Sequence, residues 1–410
     1  MRGRRFALGV LGTVAVIAAA PSRAAHASGF LIYDLSGEAL GRASAVSAGT
    51  TEPAAVWFNP AALSFMGGTS VSVGGVLVSA RSRFSPAAGG EDTSSKRGNF
   101  LLPTIFAHSA LTDRIAVGMG VFTAFGIGIA WPDNWVGREA AIGASLQTVD
   151  LNPTVAVRLH PTFSLGAGFN AVRGVVDFNT GLPELVGGNV RLVGGTWGYG
   201  VNVAALYRPL PERLHFALTY RSRVKLDFSG QADFDPNPEF VRMLPDQPGT
   251  ATITLPDIIT AGVMWRPLPA LSLGFDVNVV RWSSYDQVDI RFQSAPARTL
   301  RPSGSDTFTL RAGADYALPQ CPGLHLRAGV IYDRSAIADA NRGPGLPDAN
   351  RIDGALGVGY RYGRYKADLG YLLVYFLEAK ATTGREGPEG TYHSMAHLLG
   401  LTLAATWGVP

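Results

Sequence analysis

The 410-residue chain holds one cysteine, Cys321, so no internal disulfide framework is available to it. Beyond its first 27 residues it has no uninterrupted apolar run of about 20 residues, which excludes a membrane-spanning helix. It also lacks an excess of charge. The leading segment carries Arg2, Arg4, Arg5 and Arg23 and no acid, so the remainder has 35 − 4 = 31 basic residues against 31 acidic ones. The basic isoelectric point therefore argues for no nucleic acid partner. Linkers and shifts of composition are missing too, so about 380 residues read as one architecture rather than two soluble domains.

Chemistry-bearing motifs are equally scarce. There is no nucleophile elbow and no zinc-binding helix. The pairs Gly166/Gly168, Gly198/Gly200 and Gly357/Gly359 fall inside strand patterns, not in strand-to-helix loops that cradle nucleotides. Asp233, Asp235, Asn237 and Glu239 have calcium-like spacing, but Pro238 stands where the loop needs Gly and Leu244 where it needs Glu. His108, His215, His325 and His397 lack a metal-ligand spacing. The expectation is a protein that is not an enzyme and has neither cofactor nor metal.

What is present begins with an export signal over 1–27. Arg2, Arg4 and Arg5 precede an apolar stretch from Phe6 to Ala20, and Ala25-His26-Ala27 supplies a small-residue cleavage site that would leave Ser28 first. From Thr69 onward the chain reads as period-two strands. Leu214, Phe216, Leu218, Tyr220, Ser222, Val224, Leu226 and Phe228 fall on one face, with His215, Arg221, Arg223, Lys225 and Asp227 on the other. That is longer than the 9–11 residues, approximately, that a tilted strand needs to cross a bilayer.

Fourteen such strands are predicted, near 69–84, 97–110, 113–127, 140–159, 162–176, 190–208, 213–230, 250–266, 270–293, 305–318, 323–333, 352–362, 365–378 and 393–407. Their connections alternate between short turns, such as Leu111–Thr112 and Gly363–Arg364, and long loops, such as 128–139 and 231–249. Outer-membrane barrels combine short periplasmic turns with long external loops in this way. The expected fold is all-β, a 14-stranded antiparallel transmembrane β-barrel over 67–410, with its last strand ending at Trp407.

Residues 28–66 break the pattern. Small residues, Gly41-Arg42 and the run Trp57-Phe58-Asn59-Pro60-Ala61 read as a compact, irregular or briefly helical piece of a size to plug a barrel. This stretch resembles the N-terminal hatch of the outer-membrane long-chain fatty acid transporters, the FadL type. The features that match are Gly29-Phe30, Leu40-Gly41-Arg42-Ala43 and Asn59-Pro60-Ala61. Later runs continue the resemblance in order: Pro132-Asp133-Asn134-Trp135, Asn152-Pro153-Thr154-Val155, Tyr220-Arg221-Ser222, Leu255-Pro256, Trp282-Ser283 and Leu346-Pro347-Asp348.

The resemblance implies an outer-membrane monomer that takes up hydrophobic molecules through a lumenal pocket and releases them sideways at a kinked third strand. Its surroundings would be outer-membrane lipid and lipopolysaccharide. Gly126 falls where that kink lies. Phe30 would reach the pocket, Asn59 and Pro60 would pack beside the third strand, and Arg42 would fasten the plug to a lumenal carboxylate. Arg173 and Arg221, read as lumenal, have two roles open to them: holding a ligand carboxylate, or pairing with acids such as Asp276 and Asp315 to fix the plug. The positions matching the family's head-group residues, Thr180 and Ser305, are not basic. That leaves neutral aromatic hydrocarbons as an alternative to fatty acids, beside a sealed surface barrel that only binds partners.

Overall fold

The computed structural model describes residues 29–408. The predicted export signal lies outside them. The architecture is a closed barrel of 14 antiparallel strands. In chain order the wall strands are Thr69–Pro86, Gly98–Ala110, a broken third of Ile115–Phe122 and Gly126–Ala130, Gly143–His160, Phe163–Gly181 and Asn189–Leu210. The seventh and eighth are also broken, as Leu214–Arg221 with Val224–Asp235, and Gln247–Leu255 with Ile258–Leu268. Leu271–Val280, Thr307–Ala317, Leu324–Asp333, Arg351–Tyr362, Tyr365–Phe376 and Gly390–Trp407 complete the wall. Closure comes from the first and last strands, paired from Thr69↔Trp407 to Pro86↔Gly390.

Outward-facing side chains form the membrane surface. Leu77, Leu101, Leu399, Leu401 and Leu403 are exposed, between a lower set of aromatics (Tyr207, Trp265, Tyr360, Tyr365, Trp407) and an upper set (Trp197, Tyr199, Tyr371, Tyr375). This is an apolar belt between two aromatic girdles.

The sixteen-residue alternation from Leu214 is not one strand. Its ladder stops at Arg221 and resumes at Val224, and the faces exchange across the gap. Below it Phe216, Leu218 and Tyr220 are exposed and Arg221 is buried; above it Leu226 and Phe228 are buried while Lys225 and Asp227 face solvent. The eighth strand exchanges faces at Pro256-Asp257, where proline cannot donate to the ladder. The Asp257 carboxylate accepts from the Tyr220 hydroxyl at 2.7 Å, the Arg223 amide at 3.2 Å and the Arg223 side chain at 3.0 Å, which satisfies the freed groups. An apolar face that meets lipid below thus turns into the barrel above. The ninth strand ends at Val280, short of the expected 293. The chain turns at Trp282–Ser284 and then forms a hairpin, Val288–Phe292 with Arg298–Leu300, laid against Gly249–Ala251.

Candidate functional site

Residues 29–66 sit inside the lower barrel as helical turns at Gly37–Gly41, Ala55–Phe58 and Pro60–Phe65. Ser36 caps the first, its hydroxyl accepting from the Ala39 amide at 3.1 Å. The segment rests on wall glycines. A Cβ on Gly313 would stand 2.2 Å from the Arg42 carbonyl oxygen, and one on Gly370 would stand 2.5 Å from that of Gly37, so backbone lies directly on backbone.

Charges hold the two together. Asp276 of the ninth strand accepts from the Val46 and Ser47 amides at 3.1 and 2.9 Å and from the Ser47 hydroxyl at 2.8 Å. Lys366 pairs with Glu38 of the hatch and, at 3.0 Å, with Asp368. Asp368 continues to Arg327 at 2.8 Å, and Arg327 to Asp315 at 2.6 Å. Arg311 donates to the Ala43 carbonyl at 3.2 Å, and its guanidinium lies 3.7 Å from Asp34. Burial alone would raise the Glu38 carboxyl, but Lys366, Arg327 and Arg42 hold it well below the usual range. Glu52 forms no ion pair: burial, then the neighbouring Glu38, pushes it up to about 8 against the weaker lowering by Lys366. Glu38, Glu52 and Asp368 come close enough to suggest a metal site, but the Lys366 ammonium already bonds two of them.

The tip of the hatch meets the break in the third strand. The Ile32 amide donates to the Ala124 carbonyl at 2.7 Å and the Gly126 amide to the Phe30 carbonyl at 2.9 Å, a short β-addition to the kinked strand. The kink has a second support from the fourth strand. The Thr148 hydroxyl donates to the Phe125 carbonyl at 2.7 Å and accepts from the Phe125 amide at 3.2 Å, while the Thr123 hydroxyl donates to the Thr148 carbonyl at 2.9 Å. Thr123–Phe125 are thereby drawn inward, and the upper half of the third strand pairs with the fourth strand only. The second strand's ladder to the third runs from Ala110 up to Ile105 and stops. Above that rung, 98–104 have no ladder partner on this side until the Lys96 amide meets the Ala130 carbonyl at 2.8 Å. The hydrogen-bond ladder therefore has a window between the second and third strands, with the hatch tip behind it, and residues 122–129 beside it are buried. The sixth and seventh strands also part, between their rungs at Asn202↔Arg221 and Gly195↔Ser229. That seam is filled, because Val224 and Leu226 press onto Gly198.

Above the hatch tip is a cavity of about 530 Å³. Ile127, Leu146, Leu192, Ile253, Ile290 and Phe292 line it, and Phe30 contributes to its floor. Phe30 is held edge-on by Trp282 at 4.8 Å, Tyr285 at 5.1 Å and Phe125 at 6.1 Å between ring centroids. The charged residues lining the cavity are Arg298, Glu139 and Glu386. The two acids are engaged by loop amides, Glu139 accepting from Glu184 at 3.1 Å and Glu386 from Arg301 at 3.0 Å. Arg298 donates one bond to the Ala140 carbonyl at 3.3 Å.

Of the residues singled out from sequence, Phe30 is at the cavity and Gly126 is the first residue after the break. Arg173, Arg221, Arg42, Asn59 and Pro60 lie elsewhere. Arg173 faces outward, in one register row with the exposed Val149 and Trp197; strand parity had been assigned to the wrong face. Arg221 is lumenal but packs against the hatch, its guanidinium 4.3 Å from the Trp57 ring centre and donating to Asn170 and Asn152. Arg42 pairs with Glu38 of its own helix at 3.6 Å and not with a wall carboxylate. The ion pairs that fasten the hatch run the other way, from Glu38 and Asp34 to the wall cations Lys366 and Arg311, beside the wall carboxylate of Asp276 on hatch amides. Asn59 caps Pro60–Phe65, accepting from the Ala61 amide at 3.0 Å and donating to the Ser47 carbonyl at 2.9 Å. Pro60 and Ala61 lie against Gly166 of the fifth strand, while Val56 and Leu63 reach the third strand at Gly118. Thr180 lines the cavity, and the cation there is Arg298, which sequence reasoning passed over because it falls between the strands expected at 270–293 and 305–318.

A hatch-filled barrel with an apolar cavity above the plug is the architecture of an outer-membrane transporter of hydrophobic solutes. Residues 18–407 match the family described as outer membrane protein transport protein (OMPP1/FadL/TodX), and the chain belongs to it. It is 25% identical over 421 residues to the long-chain fatty acid transport protein of Escherichia coli strain K12, covering 92% of this chain and 93% of that one. Among solved structures it superposes on a Pseudomonas aeruginosa FadL homologue with a TM-score of 0.83 at 20% identity, covering 92% and 99% of the two chains. With the Pseudomonas putida toluene transporter TodX the TM-score is 0.70 at 15% identity, covering 90% and 99%. The protein is a member of this outer-membrane family.

Proposed function

We propose that the protein takes hydrophobic molecules, long-chain fatty acids first among them, from outside into the apolar cavity and releases them through the window beside Gly126. The observation that carries this reading is the contiguity of three parts: the cavity, the hatch tip at Phe30, and the kink supported by Thr148. An apolar solute in a water-filled pore would keep its surface hydrated, at about 25 cal/mol per Å². A greasy pocket with a sideways exit into lipid avoids that cost.

Arg298 is the group we assign to a fatty acid carboxylate, since a buried anion needs a paired cation. The relative's name, fatty acid transport, supports that choice. A second reading, a neutral aromatic hydrocarbon, is favoured by Glu139 and Glu386 on the same cavity wall, which oppose an anion. The test measures uptake of labelled oleate and labelled toluene in cells lacking other carriers, for wild type, Gly126→Val and Thr148→Val. Lateral release predicts loss of uptake in both variants. Wild-type rates from correctly folded, inserted variants would rule it out. Carriage of toluene without oleate would select the hydrocarbon reading.

A further inference from the structure

A second cavity, of about 590 Å³, lies on the outer wall, where the loop 87–97 folds back beside the first and last strands. Arg81, Arg83, Arg97, His393, His397, Tyr375 and Asp92 are among its lining residues. The registers place Arg81 opposite Met395, and Met395 opposite Tyr375, with Arg83 opposite His393 in the next outward row. Asp92 is held by the Arg83 guanidinium, its Oδ2 accepting from Nε at 2.6 Å. Among the described residues Arg81 and Arg97, both exposed, have no ion-pair partner. Three arginines against one acid therefore face the outside of the barrel.

The height of this groove indicates its occupant. The same outward rows continue downward as Leu77–Leu399–Tyr371, then Leu401, then Leu403, and end near Trp407. Arg81 lies 81 − 69 = 12 residues above the Thr69↔Trp407 rung. At about 3.3 Å per residue and a tilt near 40° that is roughly 30 Å, just above an apolar band about 25 Å tall. Lipid phosphates sit at that level. Met395 and Tyr375 give the groove an amphipathic floor continuous with the belt below, where the Tyr371 hydroxyl lies 2.8 Å from His397 Nδ1.

We infer that this groove binds the phosphate of an outer-leaflet glycolipid, a lipid A headgroup, with its acyl chains along Leu77, Leu399 and Leu401. Arg81 and Arg97 are the principal phosphate partners, and Arg83 is set by Asp92 to close the side. The inference is independent of what the lumen carries. The lipid would sit one strand away from the window between the second and third strands.

The test is native mass spectrometry of the full chain in detergent, titrated with bis-phosphorylated lipid A. The comparison set is dephosphorylated lipid A, inorganic phosphate as competitor, the double variant Arg81→Gln/Arg97→Gln, and Lys225→Gln as an outward cation on the opposite wall. Each surface cation near a charged lipid contributes about 1 kcal/mol, so the double variant should lose about tenfold or more in affinity. Lys225→Gln should leave binding unchanged, dephosphorylated lipid should bind more weakly, and inorganic phosphate should not compete at equal concentration. Equal binding of the dephosphorylated lipid, equal loss in Lys225→Gln, or competition by free phosphate would each overturn the assignment. Heat-modifiable migration of each variant checks that the barrel is intact.

Discussion

The lower and upper halves of the lumen are made by the same strands and hold opposite chemistry. In the lower half, Asp276, Arg311, Arg327, Lys366 and Asp368 point inward, and all are engaged with the hatch or with one another. In the upper half, Leu192, Leu226, Phe228, Ile253 and Ile290 point inward, Leu192, Ile253 and Ile290 at the cavity, and the buried charges there include Arg351, paired with Asp333 at 2.6 Å. The seventh and eighth strands achieve the change by breaking and exchanging faces. The broken third turns from Ala116 and Phe122 below to Ile127 on the cavity above, and the fourth and sixth change residue type at constant parity. A lumen that is charged where the plug docks and largely apolar at the cavity above it separates retention of the hatch from retention of the ligand. The two halves should therefore respond to different substitutions.

The largest effect is expected from Asp276→Ala, which strands the Val46 and Ser47 amides in a buried site. The cost is about 3–5 kcal/mol of hatch docking. It should appear as fast hydrogen exchange of hatch amides in an otherwise protected barrel; unchanged exchange would mean the hatch is held some other way. Next comes Phe30→Ala, which removes the aromatic contribution to the cavity floor. Ligand binding should fall by about tenfold, in line with loss of a buried aromatic contact, while hatch exchange in 37–66 stays as it was. Equal disturbance of both would merge the two halves.

Arg298→Gln should weaken oleate binding by about tenfold and leave toluene unaltered, the loss of a charge-assisted hydrogen bond. A pH effect is expected in the lower half. Because the Glu52 carboxyl lies near 8 in the folded hatch against an ordinary 4.5, the undocked hatch binds fewer protons between those values, and docking weakens as pH rises through them. Glu52→Gln should reduce that dependence and raise hatch protection at the alkaline end, read by exchange corrected for its intrinsic pH dependence. The smallest effect is expected from Arg173→Gln on the outer wall, within about 0.5 kcal/mol and with no change in uptake.

Strand number, the alternation of short and long connections and the hatch were legible because each rests on many residues. The kink was visible only as glycines. Its supports, Thr148 and the amide of Ile32, are polar groups on other elements that no local pattern marks. Parity explains the main errors. One residue's slip puts a side chain on the opposite face, so Arg173 was read as lumenal and the two faces of 214–229 as continuous. The break at Ser222-Arg223 carries no glycine or proline. Its determinant, Asp257, is 35 residues further on, next to Pro256 in the neighbouring strand. Wall glycines such as Gly313 and Gly370 could be read as relief of crowding; only the docked backbone of Arg42 and Gly37 gives them a purpose.

The central claim is that the ligand occupies the upper lumen and leaves above the hatch without passing the lower one. Site-specific photocrosslinkers in the full-length protein, exposed in cells to tritiated oleate, test this most directly. Adducts are predicted at Ile127, Leu146 and Phe292, with none at His215, Trp57 or Lys366. Adducts at the lower positions while the upper ones stay unlabelled would contradict the account.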